Sequence, residues 1–165
     1  MNTPGSPVPP PPVHADVLAA AERLRGHVRR TPVLRHPLLD SLTGAAVFVK
    51  PEPLQRTGSF KLRGATNAVL RLDAAGRAAG VVTHSSGNHG QAIACAAAAE
   101  GVRALIAMPQ DAPSIKVEST RRWGAEVTFF DRATTDRETL ASRLAAEHGE
   151  DENGDQNLHL SPSFT

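Results

Sequence analysis

Lys61 follows Gly58-Ser59-Phe60 and precedes an apolar series, Leu62, Ala65, Val69 and Leu72, spaced three or four apart. The spacing predicts a helix that opens here, with Ser59 as its N-cap and Gly58 letting the chain bend before it. Lys61 then occupies the first helical turn. The helix end carries roughly half a positive charge and disfavours an ammonium by ~0.3–1 kcal/mol. The same field favours the neutral amine, the form that attacks a carbonyl. In isolation, a surface lysine in water explains Ser-Phe-Lys as well. A second group of residues stands downstream, Thr83-His84-Ser85-Ser86-Gly87-Asn88-His89-Gly90-Gln91. It joins the end of a predicted strand to the start of a predicted helix, where open α/β sheets bind ligands. Gly87 and Gly90 permit tight backbone geometry. Ser85, Ser86, Asn88 and the N–H groups of the loop can then surround an anion at the positive helix end. Such a turn alone is weak evidence for a site.

The two motifs in this order are specific. Glu52-Pro53-Leu54-Gln55-Arg56-Thr57-Gly58-Ser59-Phe60-Lys61-Leu62-Arg63-Gly64-Ala65 resembles the cofactor-lysine segment of the fold-type II pyridoxal-phosphate enzymes. Within them it is most similar to the threonine/serine dehydratases and the serine racemases. Ser85-Ser86-Gly87-Asn88-His89-Gly90 resembles the substrate loop of the same subgroup. The resemblance runs from about Val13 to Gly149, with a weaker echo to the end. It implies that Lys61 is the Schiff-base lysine for pyridoxal phosphate, that Phe60 packs beside the cofactor, and that Asn88 contacts its ring hydroxyl. It implies further that Ser85, Ser86, Gly87, Asn88 and His89 hold the substrate carboxylate. In the racemases the residue matching Ser86 is the acid/base on the second face. The implied activity is an ammonia-lyase acting on L-threonine or L-serine, with Lys61 taking the Cα proton and a 2-oxo acid and ammonia as products. Serine racemisation is the alternative chemistry, and no metal is implied.

The elements that must position these residues alternate along the chain. Six of the 13 prolines fall in residues 1–12, which predicts a disordered, polyproline-like tail ahead of one domain over 13–165. Residues 14–29 carry an amphipathic stripe, Val17, Ala21, Leu24 and Val28, ended by Thr31-Pro32. Short strands are expected at 31–34 and 46–49. Beyond Leu72, strands at 80–83, 104–108 and 125–130 alternate with helices at 91–100, 114–123 and 136–148. Gly101, Gly124 and Gly149 stand just past the helices, and Thr135 to Glu138 has capping-box spacing. Apolar strands joined by helices give an α/β fold, a parallel sheet with helices on both faces. By resemblance it is the small domain of the tryptophan synthase beta-like PLP fold. Cys95, inside a run of alanines, is expected in the core rather than as a nucleophile. His84 could point into the site, although a structural place beside the strand end is the expected one; Trp123 is expected to pack at its helix end, and Lys116 to be solvated rather than catalytic. Residues 150–157 suggest an exposed loop, and Leu158-His159-Leu160 a further strand.

Composition narrows the function classes. The chain has 165 residues, 40% of them hydrophobic, with a formal net charge of +1. No basic surplus points to nucleic acid or a membrane surface. A single cysteine excludes a disulfide framework and suits a cytoplasmic protein. No apolar run approaches the roughly 20 residues of a spanning helix. The resemblance ends before the second half that family members carry, with its glycine-rich phosphate loop; no glycine cluster follows Phe130. The expectation is a short chain, truncated before that half, impaired alone, and open to homo-oligomerisation or to a partner chain. A non-catalytic fragment and an unrelated nucleotide-binding α/β domain are the competing readings; the loop lacks dinucleotide and P-loop glycine spacing.

Overall fold

The computed structural model describes residues 11–148 and 158–159. Most of the proline-rich segment, the cap expected at Gly149 and the acidic stretch at 150–157 lie outside the described residues. The chain enters through α1 (His14–Arg23), where the Asp16 carboxylate accepts the Val13 N–H at 2.8 Å. This helix is shorter than its apolar stripe predicts. Residues 27–31 dock instead on the link ahead of Lys61: the Gln55 side chain bonds both the N–H and the carbonyl of Arg29, at 3.1 and 2.9 Å. None of α1 is buried.

β1 (Leu34–Arg35) and β2 (Phe48–Val49) pair antiparallel around α2 (Pro37–Thr43) and form a small unit apart from the main sheet. Leu38, Leu42 and Phe48 are exposed there. α3 (Lys61–Val69) buries Leu62, Ala65, Thr66 and Val69, the face that the spacing foretold. α4 (Ala74–Ala79) was not expected: it is one short turn-and-a-half capped by Asp73, whose carboxylate accepts the Gly76 N–H at 2.8 Å.

From there the chain alternates as predicted: β3 (Val81–His84), α5 (Asn88–Glu100), β4 (Ala104–Pro109), α6 (Ser114–Arg122), β5 (Glu126–Phe130), α7 (Arg137–His148) and β6 (Leu158–His159). The strand order is β5-β4-β3-β6, all parallel, with Val81 opposite Ala104 and Leu105 opposite Glu126. Successive side chains point to opposite faces, and the two faces bury different partners. Val81, Ile106 and Met108 join the core of α3, α5 and α6, whereas Val82, Leu105, Ala107 and Phe130 pack with Leu140 and Leu144 of α7. Helices therefore cover both faces, as the α/β reading required. Full burial of side chains such as Ile93 and Ile106 stabilises this arrangement by about 1.5–3 kcal/mol each.

α5 is built from Ala92, Ala94, Ala96 and Ala97, all buried. Their small side chains let it lie close to both the sheet and α3. Cys95 is core, as expected. Burial pushes its thiol pKa up, against an opposing pull from the Arg56 guanidinium. α7 begins one residue later than expected. Asp136 rather than Thr135 caps it, accepting the Thr139 N–H at 2.8 Å.

Candidate active site

The link that delivers Lys61 is fixed by a charged knot. Arg63 reaches back from α3 and grips both oxygens of Glu52 with one edge of its guanidinium, Nε to Oε2 at 2.9 Å and Nη2 to Oε1 at 2.7 Å. The Thr31 hydroxyl donates to Glu52 Oε1 at 2.6 Å, and Lys50 Nζ donates to the Thr31 carbonyl at 3.1 Å. These partners hold the Glu52 carboxyl below its usual range, Arg63 first among them, against burial that acts the other way. Such charge-assisted, bidentate bonds are short and geometrically demanding. Two segments eleven residues apart are thereby clamped, and the first turn of α3 cannot drift.

Ser59 does not cap α3. Phe60 precedes the helix with helical dihedrals, φ −63° and ψ −20°, and no side-chain cap bond is made. The Ser59 hydroxyl is buried instead. With the Thr57 hydroxyl, it lacks a hydrogen-bond partner among the described residues. Lys61 is half-buried, its Nζ 5.5 Å from the centroid of the Phe60 ring, and that ring is 61% exposed.

The second motif leaves β3 at its C-terminal end. Ser85 still donates its N–H to the Ala107 carbonyl at 2.9 Å, and its hydroxyl accepts from the Gly87 N–H at 3.2 Å. The helix starts earlier than the sequence suggests, so Asn88, His89 and Gly90 form the first turn of α5. Gly90 allows this close approach: a Cβ there would sit 2.8 Å from Ile106 Cγ2 and 3.1 Å from Ser85 Cβ.

A cavity of about 530 Å³ opens where β3, β4 and β5 end. His84, Ser85, Ser86 and His89 line it from the β3 side, and Pro109, Phe130 and Arg132 from the ends of β4 and β5. The structure thus brings together Ser85, Ser86 and His89 of the expected loop. Gly87 and Asn88 do not line this cavity, nor does Lys61, although α3 and α5 pack against each other. His84 lines the cavity, the alternative that the sequence left open beside a structural place. Lys116 is not simply solvated: its Nζ donates to Asn88 Oδ1 at 2.9 Å. Sequence reasoning also missed Phe130 and Arg132. The signal was available, because they stand at the exit of β5, the same edge of the sheet as the Ser85 loop.

No group of His, Cys, Asp and Glu able to hold a metal occurs among the described residues, and no described helix is long and apolar enough to cross a membrane.

The family model of the pyridoxal-phosphate dependent enzymes matches residues 24–164. An L-threo-3-hydroxyaspartate ammonia-lyase from Pseudomonas sp. is 58% identical over 134 residues, 81% of this chain and 42% of that protein. A serine racemase from Arabidopsis thaliana is 45% identical over 138 residues, 82% of this chain and 42% of that protein. Among solved structures, serine racemase from Dictyostelium discoideum superposes with a TM-score of 0.80 at 37% identity, covering 90% of this chain and 46% of that one. A T.th. threonine deaminase gives 0.75 at 40% identity, covering 92% and 45%. The chain therefore spans less than half the length of these relatives.

Proposed function

The chain belongs to the pyridoxal-phosphate dependent enzyme family, and from that premise we propose that it carries the amine and the carboxylate-binding loop of an ammonia-lyase for a β-hydroxy-α-amino acid. Serine, threonine and 3-hydroxyaspartate are the members of that substrate class; the expectation of threonine or serine alone is widened by the hydroxyaspartate ammonia-lyase among the relatives. The observation that carries the reading is the pairing of two helix starts. Lys61 opens α3 beside an exposed aromatic ring, and the Ser85-to-His89 segment opens α5 at the C-terminal edge of the sheet.

The residues present fit the cofactor. The buried Thr57 and Ser59 hydroxyls directly precede Lys61 and lack partners among the described residues, so they can donate to an anionic ligand. Phe60 offers an exposed face for a flat ring. Asn88 gives its Oδ1 to Lys116, which leaves its amide N–H groups directed elsewhere, available to a ring hydroxyl. Pyridoxal phosphate supplies an aldehyde that captures amines and a ring that stabilises the charge left when a Cα proton departs. Lys61 Nζ would hold the cofactor and, once the amine of the substrate has displaced it, would accept that proton. The Ser85 and Ser86 hydroxyls, with the N-terminal N–H groups of α5, bind the substrate carboxylate and fix the Cα–H bond toward the amine. The β-hydroxyl leaves with a proton as water, and a water molecule then displaces the amino group, so that the net loss is ammonia and the 2-oxo acid remains.

A second reading is racemisation, favoured by the exposed position of Ser86 in the cavity, where its hydroxyl can return a proton to Cα from the other side. The test follows 2-oxo acid and substrate chirality with L-serine, L-threonine and L-threo-3-hydroxyaspartate, in parallel with the absorbance of added pyridoxal phosphate. We expect a spectral shift that Lys61→Ala abolishes. A shift that is unchanged in Lys61→Ala overturns the assignment.

A further inference from the structure

Lys116 is tied to Asn88 across two helix starts. Asn88 is the first residue of α5, and Lys116 stands in the first turn of α6. The Lys116 Nζ donates to Asn88 Oδ1 at 2.9 Å. The backbone of Lys116 is held separately: its N–H donates to the Pro113 carbonyl at 2.8 Å, and its carbonyl accepts the Thr120 hydroxyl at 2.9 Å. The side chain can therefore be changed without loosening α6. Its charge is poorly placed for stability. Neither helix has an acidic residue in its first turn, and the positive end of a helix disfavours a cation by about 0.3–1 kcal/mol. Among the described residues Lys116 forms no ion pair that offsets this cost.

The bond selects one orientation of an amide. An asparagine side chain carries an acceptor at Oδ1 and two donors at Nδ2, and a half-turn about its last bond exchanges them at nearly constant shape. An ammonium has three donors and no acceptor. Lys116 can therefore satisfy only Oδ1, and it holds the Nδ2 end on the other side of the amide. That end makes no other hydrogen bond among the described residues. A ring oxygen, above all an ionised one, accepts from Nδ2 and is repelled by Oδ1. Released from Lys116, the amide populates both orientations, and only one of them suits the ring. α5 shares its core with α3, which joins the helix of this amide to the helix of Lys61.

We propose that Lys116 is a positioning residue: it locks the Asn88 amide with its N–H groups presented to the ring hydroxyl of pyridoxal phosphate. It tightens the hold on the cofactor without touching it. The inference rests on the reading of Asn88 as the contact of that hydroxyl.

The test compares two aldehydes, pyridoxal phosphate and its 3-deoxy analogue, which lacks the ring hydroxyl. Each is titrated into the 165-residue chain and followed by absorbance, and borohydride reduction with mass spectrometry locates the lysine that captured it. The ratio of the two dissociation constants is compared between variants, so the intrinsic difference between the aldehydes cancels. In Lys116→Met the preference for pyridoxal phosphate falls about tenfold relative to wild type, the scale of one hydrogen bond to a charged group. Asn88→Ala lowers the preference by a similar factor, and the double variant loses no more than Asn88→Ala alone. Lys116→Arg, a donor only like lysine, keeps the preference. Circular dichroism confirms that each variant is folded. A lysine that served only the fold would weaken both aldehydes alike and leave the ratio unchanged. An unchanged ratio in Lys116→Met, or a double variant that loses the product of the two single factors, overturns the proposal, while a label on Lys61 leaves the proposed reaction standing. A wild-type chain whose Lys61 captures neither aldehyde removes the proposed reaction and this inference together.

Discussion

At the scale of single residues, the site depends on groups that the chain clamps before any ligand arrives. Glu52 illustrates the sign of the effect. Its carboxyl is lowered from 4.5, chiefly by Arg63, so the charged form is favoured in the folded state. Its contribution is present above the ordinary carboxylate range and is lost as pH falls through the lowered folded value. Glu52→Gln should therefore cost about 1.5–3 kcal/mol at neutral pH, the scale of hydrogen bonds to a charged group. It should also flatten the fall of stability on acidification, which urea titrations between pH 3 and pH 7 would follow (a window of about four units around the usual carboxylate pKa). An unchanged acid dependence would mean that the knot with Arg63 and Thr31 is a surface accident. Thr83 makes the opposite case. It is fully buried, and its hydroxyl has no partner among the described residues. Thr83→Val removes an uncompensated buried hydroxyl at nearly constant shape, so stability should rise by ~1 kcal/mol in the same titration. A loss of that size would show a hydrogen bond that the folded chain makes and the geometry hides.

At the scale of elements, α5 governs the geometry of the loop. Gly90 lies so near Ile106 and Ser85 that Gly90→Ala must push one of them, at ~1–3 kcal/mol for overpacking. Ile106 is β-branched and stiff. The displacement should therefore fall partly on Ser85 and weaken L-serine binding as well as stability. Ile106→Ala in the same chain removes the Cγ2 atom that the new Cβ would meet, and should restore binding while lowering stability further. Much of this layer was legible in the sequence. Leu62, Ala65 and Val69 announced the buried face of α3, and the alanines of α5 its close packing. What the sequence hid has physical causes. Asn88, His89 and Gly90 look like loop residues but sit in the first turn of a helix, because Gly87 takes the cap position. Ser59 has the right chemistry for a cap, yet Phe60 already holds helical dihedrals, so the hydroxyl is buried behind the helix start. Glu52 and Arg63 are eleven residues apart, a separation with no local periodicity, so their bidentate pair left no trace in the pattern. α4 is too short to register as a period and is marked only by Asp73.

At the scale of the molecule, three parallel strands bring their C-terminal ends to one edge, and the chemistry collects there. β3 delivers Ser85 and Ser86, β4 delivers Asp111, and β5 delivers Arg132. This convergence was predictable in kind from the parallel order, though the contribution of β5 was not foreseen. α3 reaches the same layer by packing on α5, which sets Lys61 by the geometry of two helices rather than by the sheet. The central claim is that Lys61 is the amine that holds the cofactor. It is tested most directly by adding pyridoxal phosphate to the chain, reducing with borohydride, digesting, and locating the modified lysine by mass spectrometry. The account predicts one dominant label, on Lys61, absent from Lys61→Ala. A label that stays in Lys61→Ala, on Lys50 or Lys116, would contradict it.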